Sequence, residues 1–251
     1  MKVVIGLTFL GVLLGFGENW YSSQRCEKVD IMLDDSRTPL IARKDIETIL
    51  SEAGKRPLEG RPFRQMDLNY LESRVESNPL VKDCQISRNL KGSLEVRVSA
   101  HQPIARLIQP DLPDNGMDRY LNEEGRFMPL SERSTARVLL LSGPYFERKN
   151  TLRANRDSSL LNLIRQIDQD SLWKAQIGWL EVDRAGEVTM WPQVGDVPVE
   201  FGPSGGRDAK FKKMKTFFRQ ILPLRGWSAY SKVSVKYQNQ IVCTKADTLK
   251  H

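Results

Sequence analysis

The sequence has little of what most enzyme and metal sites are built from. Among its 251 residues there are two histidines and three cysteines, and the cysteines stand apart at positions 26, 84 and 243. With an odd count and no Cys-x-x-Cys spacing, they predict neither a zinc site nor a disulfide framework. Gly-x-Ser-x-Gly and His-Glu-x-x-His motifs, internal repeats and low-complexity segments are absent as well. The sequence therefore predicts no catalytic residue, no metal site and no cofactor.

The few candidates for chemistry have ordinary structural explanations. His101 follows a predicted strand without a recognisable nucleophile or metal-binding partner, which favours a surface or loop histidine. Glu123 and Glu124 lie in a predicted hairpin turn, where solvated carboxylates are common. Residues 202–206 are rich in glycine but lack the Gly-Lys-Ser/Thr ending of a phosphate loop. An exported enzyme acting through His101 stays open as an alternative.

The formal net charge of +7 permits contact with nucleic acid or with an anionic membrane. A basic run at positions 210, 212, 213, 215 and 219 alternates with phenylalanines and is the best nucleic-acid candidate. However, the apolar residues 211, 214, 218, 221 and 222 share one face of a helix, so the phenylalanines are expected in a core. Nucleic acid is therefore not the predicted partner.

The N-terminal segment is the strongest local signal. Residues 3–17 carry no charge, and extension through Trp20 and Tyr21 gives a stretch of ~20 residues, long enough for a membrane-spanning helix. We expect residues 1–21 to form a transmembrane anchor with a minimal cytoplasmic tail, and the rest of the chain to lie outside. A signal peptide cleaved near residues 15–17 is the alternative.

Periodicity divides the remainder into two α+β or β-rich regions. Residues 22–109 contain a strand at 26–34, helices at 43–54 and 67–78, and strands at 81–88 and 93–99, which is a compact β-α-α-β-β module. Residues 110–245 predict a mostly antiparallel β domain. It contains hairpins at 120–128 and 179–191, further strands at 138–141 and 198–202, and two covering helices at 158–177 and 211–222. Residues 246–251 form a tail.

The last predicted strands occupy residues 231–245. Val233, Val235, Tyr237, Ile241 and Cys243 have one parity, which indicates a buried face. A three-residue loop at 238–240 would pair Tyr237 with Ile241 and Val235 with Cys243, whereas a two-residue loop would turn Ile241 and Cys243 to the polar side. We therefore predict a hairpin in which Asn239 takes a left-handed backbone conformation and residues 241–245 form a free edge.

Several segments resemble one bacterial family in the same order. Residues 78–105 (NPLVKDCQISRNLKGSLEVRVSAHQPIA), residues 120–127 (YLNEEGRF) and residues 233–237 (VSVKY) are similar to the cell-division family FtsQ/DivIB. With the single N-terminal anchor, the resemblance covers nearly the whole chain. It implies a POTRA domain followed by a β domain, on a single-pass protein of the cytoplasmic membrane whose bulk lies in the periplasm at the division septum.

The resemblance also implies what the protein does. Members of the family are non-catalytic scaffolds that bind the division proteins FtsB and FtsL and link them to septal peptidoglycan synthesis. The POTRA strand that the family uses for recruitment corresponds to Asp83, Ile86 and Arg88. The C-terminal strand pair, where the family binds FtsB by strand addition, corresponds to Lys236, Tyr237, Gln240, Ile241, Val242, Cys243, Thr244 and Lys245.

Another POTRA-bearing envelope protein, such as an accessory of secretion or of outer-membrane assembly, is the alternative. A following membrane β-barrel would favour it, but the second region combines two predicted helices with short strands, unlike the repeated ~10-residue alternating segments of such barrels.

Overall fold

The computed structural model describes residues 24–34, 39–109, 118–153, 155 and 157–246. They form two compact units, which divide in sequence between His101 and Gln102, and residues 131–134 belong to the first unit. The expected boundary at residues 109 and 110 is thus too late, because the strand at Pro103–Leu107 belongs to the second unit. The predicted anchor and residues 247–251 of the predicted tail lie outside the described residues. Within the described ranges, no helix is long and apolar enough to cross a bilayer.

The first unit has the predicted β-α-α-β-β order. Its elements are β1 (Lys28–Leu33), α1 (Arg43–Leu50), a 3₁₀ turn (Phe63–Gln65), α2 (Leu68–Glu76), β2 (Val81–Arg88) and β3 (Ser93–Ala100). The three strands form a sheet in the order β1-β3-β2, in which β1 is parallel and β2 antiparallel to the central β3. This arrangement confirms the α+β class.

Local signals in the sequence explain the elements of the first unit. The carboxylate of Asp67 accepts the N–H of Tyr70 at 3.0 Å and so caps α2 at its N-terminus. Leu71 and Val75 then place one face of α2 in the core, which also contains the central β3 residues Val96 and Val98. Residues 77–80 connect α2 to β2, and a connection this short keeps the helix beside the strand.

The second unit is built on a nine-stranded sheet. Its strands are β4 (Pro103–Leu107), β5 (Arg119–Asn122), β6 (Phe127–Pro129), β7 (Leu139–Ser142), β8 (Ile177–Val182), β9 (Glu187–Pro192), β10 (Val199–Pro203), β11 (Tyr230–Ser234) and β12 (Val242–Lys245). Their order is β12-β11-β10-β9-β8-β7-β4-β5-β6. The pairs β4–β7, β7–β8 and β10–β11 are parallel and the others antiparallel, so the sheet is mixed.

The helices of the second unit are α3 (Ser158–Gln169), α4 (Ser171–Gln176), α5 (Arg207–Thr216) and α6 (Leu222–Arg225), with a π turn at Phe217–Ile221. The single helix expected at 158–177 is two helices, because Asp170 ends α3 and its carboxylate caps α4 by accepting the N–H groups of Leu172 and Trp173. Side chains of α3, α4 and α5 share one hydrophobic cluster with the strands. Phe211 lies in the core as predicted, at 5 % exposure, and Phe218 packs against it partly buried. Phe217, which is outside the predicted face, is 1 % exposed, because the helix changes to a π turn at this residue.

Candidate functional site

The two strands at the C-terminal end of the described chain form the predicted hairpin, but in a different register. Cys243 pairs with Val233, not with Val235, and the connection runs over residues 235–241 instead of three residues. The shift by two positions preserves the predicted parity. In place of a strand pair, residues 235–237 are held from α5, where Lys213 donates hydrogen bonds to the carbonyl oxygens of Val235 and Tyr237. Asn239 has φ +53°, as expected for the turn.

The backbone of β11 is divided between its two neighbours. Val233 donates its N–H to Pro198 O at 3.0 Å, and Val235 uses the same side of the strand. Because main-chain groups alternate in direction along a strand, Lys232 and Ser234 face β12. They pair there with Thr244 and Val242.

The same alternation determines which groups of β12 are free to pair with another chain. Thr244 and Val242 face β11, so the N–H groups of Cys243 and Lys245 and the carbonyl of Cys243 point away from the sheet. Within the described part of the chain, β12 pairs with β11 alone and nothing accepts these two N–H groups. This is the geometry that strand addition requires.

A lysine of α5 holds the loop that precedes β12. The ammonium group of Lys213 donates hydrogen bonds to the carbonyl oxygens of Val235 and Tyr237. Burial lowers the pKa of Lys213. One turn earlier, Lys210 donates to Pro203 O at 2.5 Å and lies 4.8 Å from the centroid of the Phe201 ring. Two lysines of the basic run, Lys210 and Lys213, therefore hold main-chain carbonyl groups in place.

Lys236 is fixed by its contacts with β10. Its ammonium nitrogen lies 3.7 Å from Glu200 Oε2 and 5.3 Å from the centroid of the Tyr237 ring. A Cβ on Gly202, which has φ +73°, would come within 2.7 Å of Lys236 Cβ. Glu200 also accepts a hydrogen bond from Lys232 at 2.8 Å, which lowers the pKa of its carboxyl group together with the charges of Lys232 and Lys236.

The loop and α5 enclose a surface groove of about 1020 Å³. One wall is the loop from Lys236 to Ile241, and the other is the side of α5 that carries Lys210, Lys212 and Lys213. The groove adjoins the start of β12 and is positively charged. A partner strand on β12 would therefore pass close to a basic surface.

Most side chains of the predicted strand-pair site are accessible. Tyr237 is 45 % and Val242 41 % exposed, and Gln240, Thr244 and Lys245 are exposed as well. Lys236, Ile241 and Cys243 are half-buried, and the last two pack against the core. The structure thus brings all the predicted residues of this site together. The sequence did not predict that Glu200, Gly202 and Lys213 support this site. Of the three, only Lys213 could have been found, because its i, i+3 spacing from Lys210 places both lysines on one side of a helix.

The three predicted recruitment residues on β2 do not form one surface. Asp83 is exposed, and Arg88 is half-buried with its guanidinium carbon 5.5 Å from the centroid of the Phe63 ring. Ile86 is only 6 % exposed and belongs to the core of the first unit, so its side chain is not presented to a partner. The alternation of β2 explains this correction, because Ile86 shares the inward face with Cys84.

His101 is buried at 7 % exposure instead of lying at the surface. Its main-chain N–H donates a hydrogen bond to Leu80 O at 3.0 Å. In the described ranges, no group of three or more His, Cys, Asp or Glu side chains could hold a metal ion.

A β-α-α-β-β unit followed by a β unit with a free terminal edge defines a class of POTRA-bearing proteins, and residues 24–99 match the POTRA-like domain. Residues 102–244, more than half of the chain, match the family described as FtsQ/DivIB, C-terminal related. The chain belongs to the FtsQ/DivIB family.

Two relatives extend the match over nearly the whole chain. The cell division protein FtsQ of Geobacter sp. (strain M21) is 23 % identical over 238 residues, which are 92 % of this chain and 82 % of the relative. The cell division protein FtsQ of Salinibacter ruber (strain DSM 13855 / M31) is 24 % identical over 248 residues, 96 % of this chain and 89 % of the relative.

Proposed function

We propose that the protein is a non-catalytic scaffold of cell division, anchored in the cytoplasmic membrane by residues 1–21, which binds FtsB- and FtsL-type partners in the periplasm by strand addition at β12. In this way it links the division complex to septal peptidoglycan synthesis. The observation that carries the proposal is the pair of outward N–H groups at Cys243 and Lys245, for which the described residues provide no acceptor.

The other edge of the same sheet supports this choice of β12. Along β6, Phe127 donates its N–H to Asn150 O at 3.1 Å, and Leu152 donates to Gly125 O at 2.7 Å. The segment at residues 150–152 therefore covers that edge in the manner of a short added strand. β12 is the end of the nine-stranded sheet that the described chain leaves open.

Side chains beside β12 would supply selectivity. Tyr237 and Val242 offer exposed apolar surface, and aromatic residues are common anchors in interfaces. The lysines of the groove add positive charge next to the strand. We expect the partner to contribute an extended segment whose main chain pairs with Cys243 and Lys245.

The test removes one outward N–H without touching the pairing between β11 and β12. Cys243→Pro deletes the N–H that points away from β11, and proline is tolerated on an edge strand at such a position. Full-length tagged protein is co-expressed with the FtsB- and FtsL-like proteins of the same cell, and partner recovery is measured after purification from membranes. We expect a loss of at least about tenfold in affinity.

Cys243→Ala is the matched control, because it shortens the same side chain and retains the N–H. It should bind nearly as well as the parent chain. Equal binding by Cys243→Pro and Cys243→Ala would show that strand addition at β12 is not how the partner binds. A shortened chain lacking residues 233–245 is a poorer test, because it also removes the fully buried Val233 and Val235.

A further inference from the structure

β2 forms one of the two edges of the sheet in the first unit, and side chains of α2 occupy this edge. Glu72 Oε1 accepts the N–H of Ile86 at 2.6 Å, and Glu76 Oε1 accepts the N–H of Cys84 at 3.3 Å. These two N–H groups point away from β3, because β2 lies at the end of the three-stranded sheet and its groups alternate in direction. They are the groups that an added strand would need.

The match between helix and strand has a simple geometric basis. Glu72 and Glu76 are four residues apart on α2, which advances about 6 Å along a helix axis. Cys84 and Ile86 are two residues apart on β2, which advances about 6.7 Å along a strand. The helix runs opposite to the strand, so the later glutamate meets the earlier strand residue. Two carboxylates thus take the positions of two carbonyl groups of a partner strand.

The packing of α2 keeps the carboxylates in place. Leu71 and Val75 are 6 % and 0 % exposed, and each precedes one of the two glutamates by a single position. Burial of this face therefore turns the neighbouring face towards the edge of β2. Arg74, on the other side, forms an ion pair with Glu52 at 2.9 Å.

We propose that Glu72 and Glu76 close the β2 edge of the POTRA-like unit against strand addition, and that without them this edge pairs with the β2 edge of a second copy of the chain. A partner of the intact unit must then recognise side chains on the solvent side of β2, such as those of Asp83, Gln85 and Ser87, which are exposed. The second copy is the expected occupant of an opened edge, because identical strands pair around a two-fold axis without any further component.

The proposal deepens the proposed function and rests on it, since it explains why strand addition would occur at β12 and not at β2. Amide hydrogen exchange of the full chain in detergent tests it first without any substitution. The N–H groups of Cys84 and Ile86 should exchange slowly, and those of Cys243 and Lys245 rapidly. Rapid exchange at Cys84 and Ile86 in the unaltered protein would overturn the closure.

Substitution then distinguishes the effect of the two carboxylates from that of the helix that carries them. In Glu72→Ala/Glu76→Ala, exchange at Cys84 and Ile86 should rise roughly 10- to 100-fold in a dilute, monomeric sample, since charge-assisted hydrogen bonds are lost, and should fall again where a dimer re-forms hydrogen bonds to these groups. Sedimentation should show a concentration-dependent dimer. Glu72→Gln/Glu76→Gln keeps a carbonyl acceptor at each site and should stay protected and monomeric, as should Glu47→Ala on the exposed face of α1.

Two results would overturn the proposal. One is unchanged exchange at Cys84 and Ile86 in the dilute, monomeric double alanine variant, and the other is raised exchange in a chain that remains monomeric at every concentration. Partner binding at β12 is measured on the same samples, with Cys243→Pro as the reference. Loss of the proposed function would leave the exchange pattern of β2 intact, so the two ideas fail separately.

Discussion

The β2 edge of the first unit and the β12 edge of the second differ in what lies beside them. On each edge, two outward main-chain N–H groups two residues apart can be compared, those of Cys84 and Ile86 in one case and those of Cys243 and Lys245 in the other. On β2 both are bound by the carboxylates of α2. On β12 the described residues leave both without an acceptor. The difference lies in a neighbouring helix and not in the strands, which are ordinary in both units.

The neighbouring helices explain the difference. α2 places acceptors against β2, whereas α5 reaches the hairpin with lysines, which can only donate. Lys213 accordingly binds the carbonyl groups of Val235 and Tyr237 in the loop. A helix rich in glutamate therefore closes an edge by satisfying its N–H groups, and a helix rich in lysine holds a loop by its carbonyls while leaving the adjacent edge open.

The largest expected effect comes from loosening α2. Leu71→Ala removes a side chain that is 6 % exposed from the core of the first unit, and we expect a loss of about 2–5 kcal/mol in its free energy of unfolding. Exchange at Cys84 and Ile86 should rise with it. Chemical denaturation followed by circular dichroism measures the change. The emission of the tryptophans of the second unit, among them Trp173 and Trp179, should keep its transition, and a shift there would show that the substitution does not act on the first unit alone.

The next effect concerns the support of the loop before β12. Gly202→Ala introduces a Cβ 2.7 Å from Lys236 Cβ at a position with φ +73°, and we expect it to cost about 1–3 kcal/mol and to weaken partner binding. Gly205→Ala is the control, because a Cβ there meets nothing within 4 Å. Thermal unfolding and the co-purification assay report the two effects. Equal behaviour of the two variants would mean that Lys236 is not held by Gly202.

Removing the lysine that holds the loop should have a smaller effect. Lys213→Met deletes the donor to the carbonyl oxygens of Val235 and Tyr237, with an expected loss of about 1–2 kcal/mol. Amide exchange in residues 236–241 should rise, while Cys84 and Ile86 are unaffected. Lys215→Met changes an exposed lysine of the same helix and should leave the loop as it is.

The smallest effect is a pH dependence of the hairpin. The hydrogen bond from Lys232 lowers the pKa of Glu200 in the folded chain, so the pair stabilises the fold above the unfolded value of about 4.5 and ceases to do so as the pH falls through the lower folded value. Because Lys232 is exposed and Glu200 is only half-buried, solvent screens the pair and we expect only about 0.2–1 kcal/mol. The free energy of unfolding of Glu200→Gln should fall below that of the parent chain at pH 7, and the difference should shrink as the pH falls below about 4.5, whereas Asp196→Asn should match the parent chain throughout.

The sequence predicted those strands best that have one face buried and the other exposed to solvent. The alternation at residues 81–88 predicted β2 with its observed bounds. β4 was missed because neighbours such as Ile104 and Ala105 are both buried, which removes the alternation from a strand inside the sheet. The register of the terminal hairpin was not predicted, because the loop before β12 is held by Lys213 of α5 and no local pattern contains that contact.

The β12 edge could be predicted from the sequence, whereas the closure of the β2 edge could not. The free edge at residues 241–245 was predicted from parity and from a family resemblance. The closure of β2 was not, because glutamates on the outer side of a helix look like solvated residues in any sequence. Their role depends on a distance between a helix and a strand that only the fold establishes.

The spacing of Glu72 and Glu76 also limits how long a masked edge can be. Four helical residues advance about 6 Å and two strand residues about 6.7 Å, so the spacing of the glutamates falls short of the spacing of the N–H groups by about 0.7 Å per pair. The hydrogen bonds of 2.6 Å and 3.3 Å already differ in length. Three pairs would accumulate about 1.4 Å of mismatch between the first and the last, which the rotatable glutamate side chains would have to absorb. Masking of a strand edge by a straight helix therefore becomes harder with every further pair, which favours short masked stretches such as that of β2.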